Sequence, residues 1–130
     1  MTETTQRFFE SRAESIGQAR QFTTEALADW GFASRAEDIR LCVSELATNA
    51  LVHADDHGFL VKIDVDEEVV RLEVHDSRRE HPQARQAADT DTSGRGLTLV
   101  SVLADDWGVE DRAPSGKIVW SSFKTGGVAP

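Results

Sequence analysis

Two short segments that alternate apolar and polar residues narrow the possible folds of this chain more than any other feature. Residues 59–65 (FLVKIDV) and residues 69–75 (VVRLEVH) both follow the two-residue period of a β-strand. The acidic residues 66–68 between them form a short turn, so the pair predicts a β-hairpin. Because each strand has one apolar face and one polar face, other parts of the chain must cover the apolar side.

Helical spacing of apolar residues predicts the elements that provide this cover. A first helix is expected over residues 13–30, with Gly31 as its C-terminal stop. Its residues at helical spacing are Ile16, Ala19, Arg20, Thr23 and Leu27. The segment Ser34-Arg35-Ala36-Glu37 has the spacing of a capping box, so a second helix is expected from there to about residue 54. Gly94-Arg95-Gly96 opens a third helix that continues to about residue 104.

Further strands are expected at residues 5–9, 107–111 and 117–123, the last two joined by a turn at residues 114–116. Residues 76–93 contain few apolar side chains and no clear period, which predicts a long loop of the kind that often acts as a lid. The expected fold is an α/β (α+β) two-layer sandwich, with one mixed, mainly antiparallel sheet and helices packed on one face. No repeat or linker divides the sequence, so residues 1–130 are expected to form a single domain with its core at about residues 13–123.

The charge of the chain argues against direct binding to nucleic acid. Acidic residues outnumber basic residues 23 to 14, which gives a net charge of -9, and such a surface repels a phosphate backbone. The single cysteine, Cys42, lies in an apolar helical pattern and indicates a reducing compartment. Without a signal-like N-terminus or an apolar run of about 20 residues, the chain is expected to be cytoplasmic and not bound to a membrane.

The second predicted helix carries a polar stripe beside its apolar face. Glu45, Asn49 and His53 follow one another at intervals of four residues and therefore share one side of the helix. Apolar residues border this stripe on both sides, a pattern more typical of a pocket wall than of a surface in bulk water. The core side consists of Ile39, Cys42, Val43, Leu46 and Ala50, and the far side of Leu41, Thr48 and Val52.

Two other interpretations of the stripe stay open at the level of sequence. The three polar side chains could simply form hydrogen bonds with neighbouring loops. They could also form the metal site of a hydrolase, because His57 lies four residues beyond His53 and Glu45 could complete the ligand set. Residues 54–58, however, have the composition of a helix end, and a helix end there would spoil that geometry.

A glycine-rich segment, Ser93-Gly94-Arg95-Gly96-Leu97, stands at the start of the third helix and could bind an anion. Its glycines allow close approach of the backbone, and the free amides at a helix start could hold phosphates together with Arg95. The same pattern also occurs in simple tight turns.

Asp76 stands at the end of the hairpin, where the long loop begins. Its carboxylate could accept a hydrogen bond from an exocyclic amine such as that of adenine, although aspartate is also common at the start of turns. Arg78, Arg79 and Arg85 add positive charge to the loop.

Taken in order, four segments resemble the sequence boxes of the GHKL (histidine kinase-like) ATPase family. They are residues 45–54 (ELATNALVHA), 74–77 (VHDS), 93–97 (SGRGL) and 116–120 (GKIVW). Their order is more specific than any one of them, and the likeness runs from about residue 13 to residue 123. Within the family, the chain looks most like the stand-alone ATPase domains of bacterial anti-sigma factors and related serine/threonine protein kinases.

The resemblance implies a role for each matching residue. Asn49 would bind Mg²⁺, Glu45 would act as a general base, and Asp76 would recognise the adenine of ATP. The segment 93–97 would close over the phosphates, and His53 would support the site.

Two positions depart from the family pattern. The aspartate box usually continues with glycines, as Asp-x-Gly-x-Gly, whereas this chain continues with Ser77-Arg78-Arg79-Glu80, which predicts a lower nucleotide affinity. Ile118 stands where the family often has a threonine, so a hydroxyl that assists the adenine aspartate is expected to be missing. Asp76 would then rely on water.

From the resemblance we expect an ATP-dependent regulator that binds a sigma factor and phosphorylates an antagonist protein on serine or threonine. The alternative is a non-catalytic module of the same fold, which would bind nucleotide or would hold a partner through its first helix and Arg20. A homodimer formed through the sheet and the first helix is an expectation by analogy with this branch of the family.

Overall fold

The computed structural model describes residues 3–31, 35–53, 57–66, 68–76, 93–111 and 116–125, and describes residues 53 and 93–96 by their backbone alone. Within these ranges the chain forms three helices and five strands, and none of these helices is long and apolar enough to cross a membrane. In chain order the elements are β1 (Glu3–Phe9), α1 (Glu14–Trp30), α2 (Ala36–His53), β2 (Phe59–Val65), β3 (Val69–Asp76), α3 (Ser93–Leu103), β4 (Asp106–Asp111) and β5 (Lys117–Lys124). Each one corresponds to an element predicted from the sequence, with its ends close to the predicted positions.

The strands form one sheet in the order β1-β2-β3-β5-β4, and the helices lie on one side of it. The two-layer sandwich is therefore confirmed. Within the described residues every neighbouring pair of strands is antiparallel, so the parallel pairing that a mixed sheet requires does not occur there. The reason is that β4 and β5 form a hairpin, whose second strand turns back beside β3.

The apolar face of the sheet packs against the helices and forms the core. Alternation along β2 decides which side chains enter it, because Val61 and Ile63 are fully buried while Lys62 between them is only half-buried. At the end of the sheet, the ring of Phe9 stacks on that of Phe59, with 5.5 Å between ring centroids. Burial of each such side chain stabilises the fold by roughly 1.5–3 kcal/mol before entropic costs. The helices thus provide the cover that the hairpin requires.

Small residues on α1 allow it to pack closely against α2. Ala19 and Thr23 are fully buried, and the hydroxyl of Thr23 donates to the carbonyl of Ala19 at 2.8 Å. Arg20 has the same helical spacing in the sequence but is exposed, and its Nη1 donates to Oγ of Ser44 on α2 at 3.2 Å. The helix stops at Gly31, whose φ of 79° is a left-handed conformation that glycine adopts without steric cost.

The core face of α2 is the one that the sequence predicts, but its far side is not. The predicted core positions are all buried, namely Ile39, Cys42, Val43, Leu46 and Ala50. The far side, made of Leu41, Thr48 and Val52, is exposed. In the part of the chain that the structure describes, this border of the polar stripe faces outwards, and the role of the stripe as a pocket wall stays a prediction. Ser34 of the predicted capping box lies outside the described residues.

Arg35, just before α2, joins three elements at one end of the sandwich. Its guanidinium donates to the carbonyl oxygens of Leu103 at 2.9 Å and Lys124 at 2.6 Å, and it pairs with the carboxylate of Asp105 at 3.1 Å. The same group lies over the ring of Phe123, 5.4 Å from the ring centroid. Because Leu103 is the last residue of α3, this contact places the end of α3 beside the start of α2. The two helices pack against each other and therefore run in opposite directions.

On the face of the sheet opposite the helices, charged side chains form a compact cluster on β3. Nε of Arg71 donates to Oε2 of Glu73 at 2.6 Å, and Nε2 of His75 donates to Oε1 of the same carboxylate at 2.7 Å. The guanidinium of Arg71 also lies 4.4 Å from the ring centroid of Trp120. Burial alone would raise the pKa of Glu73, but hydrogen bonds from His75 and Arg71, together with their charges, lower it below its usual value. Glu73 is thus held ionised although it is almost fully buried.

Candidate functional site

One end of the sheet brings charged side chains onto the face that packs against the helices. β3 ends at Asp76, and the Cα partners of this residue are Phe59 on β2 and Lys117 on β5. Lys117 in turn pairs with Asp111, the last residue of β4. Strand alternation places these side chains on the core face, where Asp76 is 7% exposed and Lys117 is 5% exposed. Buried ionisable groups mark this end of the sheet as a candidate site.

The C-terminal half of α2 lies at this same end. α2 ends at His53 and β2 begins at Phe59, so only a short connection separates them. Gly58 makes this connection with a φ of 73°, and a Cβ at this position would lie 2.6 Å from the carbonyl oxygen of Phe9. Any side chain at residue 58 would therefore force the backbone to move. Asn49, one turn before the end of α2, is thereby held near the end of the sheet that carries the buried aspartate.

The start of α3 reaches the level of the polar stripe on α2. α3 has 11 residues, which span about 15 Å at 1.5 Å per residue. The end of α3 lies beside the start of α2, and the two helices run in opposite directions. A distance of about 15 Å along α2 from Ala36 therefore leads to the turn that carries Glu45 and Asn49. The free backbone amides of the first turn of α3 are thus level with that turn, and such amides attract anions.

The predicted site residues differ in how fully the structure describes them. Glu45 and Asn49 are half-buried, Asp76 is buried, and Leu97 is half-buried and packs against the core. For His53 in α2 and for Gly94, Arg95 and Gly96 in α3, the structure describes only the backbone. Most of the predicted lid lies outside the described residues, including Ser77, Arg78, Arg79, Glu80 and Arg85. The structure brings the polar stripe, the buried aspartate and the start of α3 to one end of the sandwich, and their roles stay predictions.

Lys117, and not Ile118, is the residue of β5 that faces Asp76. Ile118 pairs with His75 on the opposite face of the sheet, so a threonine at this position would also point away from the aspartate. The expected loss of an assisting hydroxyl at residue 118 is therefore wrong. No role was predicted for Lys117, although a lysine that alternates in step with the apolar residues of a strand was an available signal.

A cavity of about 350 Å³ lies at this end of the sheet, beside β1. It is lined by Phe8, Glu10, Ser11, Arg12, His57 and Gly58. Because none of the predicted site residues lines it, this cavity is separate from the site on α2, β3 and α3.

The donor chemistry of α2 fits a magnesium ion held mainly by ligand oxygens. Asn49 offers an amide oxygen from a half-buried position, and Mg²⁺ usually combines one or two protein ligands with phosphate oxygens and water. Within the described ranges, no three His, Cys, Asp or Glu side chains lie close enough together to hold a metal ion. The alternative of a metal hydrolase loses its geometry, because α2 ends at His53 and His57 lies exposed beyond the helix.

The family of the chain follows from a comparison with known protein families. A sequence model of the histidine kinase-like ATPase domain matches residues 9–123. The chain belongs to this family. The match runs from the end of β1 into β5 and thus includes α2, β3 and α3. Membership of the histidine kinase-like ATPase family supports ATP binding and ATP-dependent chemistry, and it confirms the resemblance of the four boxes at the level of the family. No curated protein matches the sequence.

Proposed function

We propose that this histidine kinase-like ATPase domain is an anti-sigma regulator that phosphorylates an antagonist protein on a serine or threonine hydroxyl. The observation that carries the proposal is the position of Glu45 and Asn49. Both are half-buried, lie one helical turn apart on α2, and are level with the start of α3. The end of the sheet that carries Asp76 lies beside them. In this proposal the region would combine a carboxylate base, an oxygen ligand for a cation and an anion site.

Each group would hold a different part of ATP. The buried carboxylate of Asp76 would accept a hydrogen bond from the adenine amine. The amides at Gly94 and Gly96 would hold the phosphates at the helix start, and Arg95 would add positive charge. Asn49 would supply an amide oxygen to Mg²⁺, which neutralises charge on phosphate oxygens during phosphoryl transfer when it is bound.

Glu45 would act as the general base. In the reaction, the hydroxyl oxygen of the partner forms a bond to the γ-phosphorus while the bond to the departing ADP oxygen breaks. The hydroxyl proton passes to the carboxylate of Glu45. Because Glu45 lies about 6 Å along the helix from Asn49, the base would be close to the residue that would hold the cation.

The partners in this proposal are a sigma factor and an antagonist protein, both met in the cytoplasm. The net charge of -9 opposes direct contact with nucleic acid. Exposed residues on the helices, among them Arg20 on α1 and Leu41 and Val52 on α2, offer positions for protein contacts. A homodimer, by analogy with the same branch of the family, completes the proposal.

Glu45→Ala tests the catalytic part of the proposal. The variant should transfer phosphate roughly 10²–10⁴-fold more slowly, because a positioned base contributes this much to proton transfer. Its affinity for ATP should change little, since the base acts on the proton of the partner. The measurements are transfer of labelled γ-phosphate from ATP to the serines and threonines of candidate antagonists, and ATP binding by calorimetry.

Glu37→Ala is the matched control, because it removes a carboxylate that is 74% exposed on the first turn of the same helix. An unchanged rate of transfer in the Glu45 variant would refute the role of this residue. If the wild-type domain binds ATP and candidate antagonists but transfers no phosphate, the result would favour the second candidate, a non-catalytic binding module that uses exposed α1 residues such as Arg20.

A further inference from the structure

We infer that Lys117 determines the nucleotide specificity of this domain by holding the carboxylate of Asp76 ionised and oriented. The inference rests on the proposed function, in which Asp76 recognises adenine. Asp76 and Lys117 are directly opposite each other on neighbouring strands, on the same face of the sheet, and both are almost fully buried.

Burial makes an ion pair between these residues the favourable arrangement. A lysine is rarely buried without a partner, because its charged group loses water that only an opposite charge or hydrogen bonds can replace. Cα partners on antiparallel strands lie about 4.5–5.5 Å apart, so opposite charges on one face attract each other directly. Asp111 flanks Lys117 on the other side. The ammonium therefore has a carboxylate on each neighbouring strand, and each of the three residues has an interaction partner in the structure.

The state of the carboxylate decides which purine it can recognise. An ionised carboxylate only accepts hydrogen bonds, whereas a protonated carboxyl group can also donate one. Adenine presents an amine at position 6, and hypoxanthine presents an oxygen at the same position. With the Lys117 ammonium beside it, Asp76 stays an acceptor and favours ATP over inosine triphosphate. Without the ammonium, burial favours the neutral form of Asp76, and the preference should shrink.

A double-mutant cycle tests this coupling. Lys117→Met removes the ammonium and keeps a long unbranched side chain, and the dissociation constants for ATP and inosine triphosphate are then measured by calorimetry with Mg²⁺. ATP affinity should fall by about tenfold or more, and the preference for ATP should fall towards one. In an Asp76→Asn background the same lysine change should alter ATP affinity less than about twofold, because a neutral amide needs no counter-ion. Lys117→Arg should keep most of the preference.

Lys62→Met is the matched control, because it removes a lysine from β2 on the opposite face of the sheet and changes the net charge equally. Thermal melts check that each variant is folded, and Lys117→Gln replaces Lys117→Met if the latter unfolds. A purely structural role for Lys117 would lower stability without changing the ratio of the two affinities.

The outcomes separate the inference from the function on which it rests. In one outcome the wild-type domain binds ATP, Asp76→Asn weakens binding, and the lysine and aspartate changes act additively. If the lysine variant then also keeps its preference for ATP, the inference about Lys117 is overturned, while the proposed adenine site stands. If the wild-type domain binds no ATP, or Asp76→Asn binds it normally, the proposed adenine site fails and the role of Lys117 fails with it. A non-additive cycle with a reduced preference establishes the role.

Discussion

The pKa values of two buried side chains of this domain shift in opposite directions, because the two side chains make different polar contacts. Burial, together with the nearby charge of Asp38, raises the pKa of the Cys42 thiol to about 12. The thiol is therefore neutral and packs as a small hydrophobe, as its helical pattern predicted. Glu73 is also buried, but the hydrogen bonds from Arg71 and His75 outweigh burial, and its pKa is lowered. One residue is thus an inert part of the core, and the other is a fixed negative charge in the sheet.

Glu73→Gln should make the stability of the fold less dependent on pH. Because the pKa of Glu73 is lower in the folded state, its ionised form stabilises the fold above the pKa of an unfolded glutamate, and this stability is lost as pH falls through the folded value. The variant should lose about 1–2 kcal/mol at pH 7, and the difference from wild type should shrink between about pH 5 and pH 3. Urea unfolding across this range measures it.

Glu68→Gln, an exposed carboxylate in the β2–β3 turn, is the control for the Glu73 variant. A constant difference in stability between the Glu73 variant and wild type at all pH values would contradict the proposed role of the ionised form.

At the level of elements, the local sequence pattern identified the described helices and strands and the β2–β3 hairpin, but not the order of the strands in the sheet. The periods of 2 and 3.6 residues report burial directly, so the alternating residues 59–65 and the core face of α2 were correctly predicted. The pairings of β1 with β2 and of β3 with β5 depend on contacts between distant residues. The pairing of Asp76 with Lys117, and the placement of Ile118 on the other face, could be decided only once β5 was known to lie beside β3.

The candidate site was predictable to a similar extent. Spacing alone placed Glu45 and Asn49 on one side of α2, and the family boxes pointed to Asp76 and the start of α3. The position of the start of α3, level with Asn49, follows from the contact between Arg35 and the end of α3. This contact joins residues far apart in the sequence, so no local period predicts it.

Arg35→Ala should destabilise the fold by about 2–4 kcal/mol, because it removes charged hydrogen bonds to four partners and leaves the carbonyl of Leu103 without this donor. The variant should also weaken ATP binding, because Arg35 anchors the C-terminal end of α3 and thereby fixes the position of its N-terminal end. Chemical denaturation and calorimetry measure the two effects. Arg12→Ala, which breaks only an exposed pair with Glu10, is the control and should change stability little. Equal stabilities of the two variants would rule out Arg35 as an anchor.

For the whole molecule, the site lies where a sheet strand and two helices come together, so ligand binding is coupled to global stability. A ligand that binds only the folded state raises the free energy of unfolding by mass action. Asp76, Asn49 and the start of α3 belong to three separate elements, and unfolding separates all of them.

ATP with Mg²⁺ should therefore raise the melting temperature of this domain by several degrees. At a ligand concentration of about 100 times the dissociation constant, the expected stabilisation is about 2.7 kcal/mol. A fluorescence melt with and without ligand measures it, with ATP plus a chelator and Asn49→Ala as controls for the contribution of Mg²⁺. If the melting temperature stays unchanged at every concentration of ATP and Mg²⁺, the proposed function loses its basis.

The ladder between β1 and β2 has a consequence for synthesis of the chain on the ribosome. It joins residues 3–9 to residues 59–65, and both α1 and α2 lie between them in the sequence. When β1 leaves the exit tunnel, its partner has not yet been translated. β1 must therefore wait as an unpaired segment until both helices and β2 have emerged, and contacts between such distant residues form slowly. A pause of translation after residues 59–65 have left the exit tunnel would give this strand time to dock before the rest of the sheet is added.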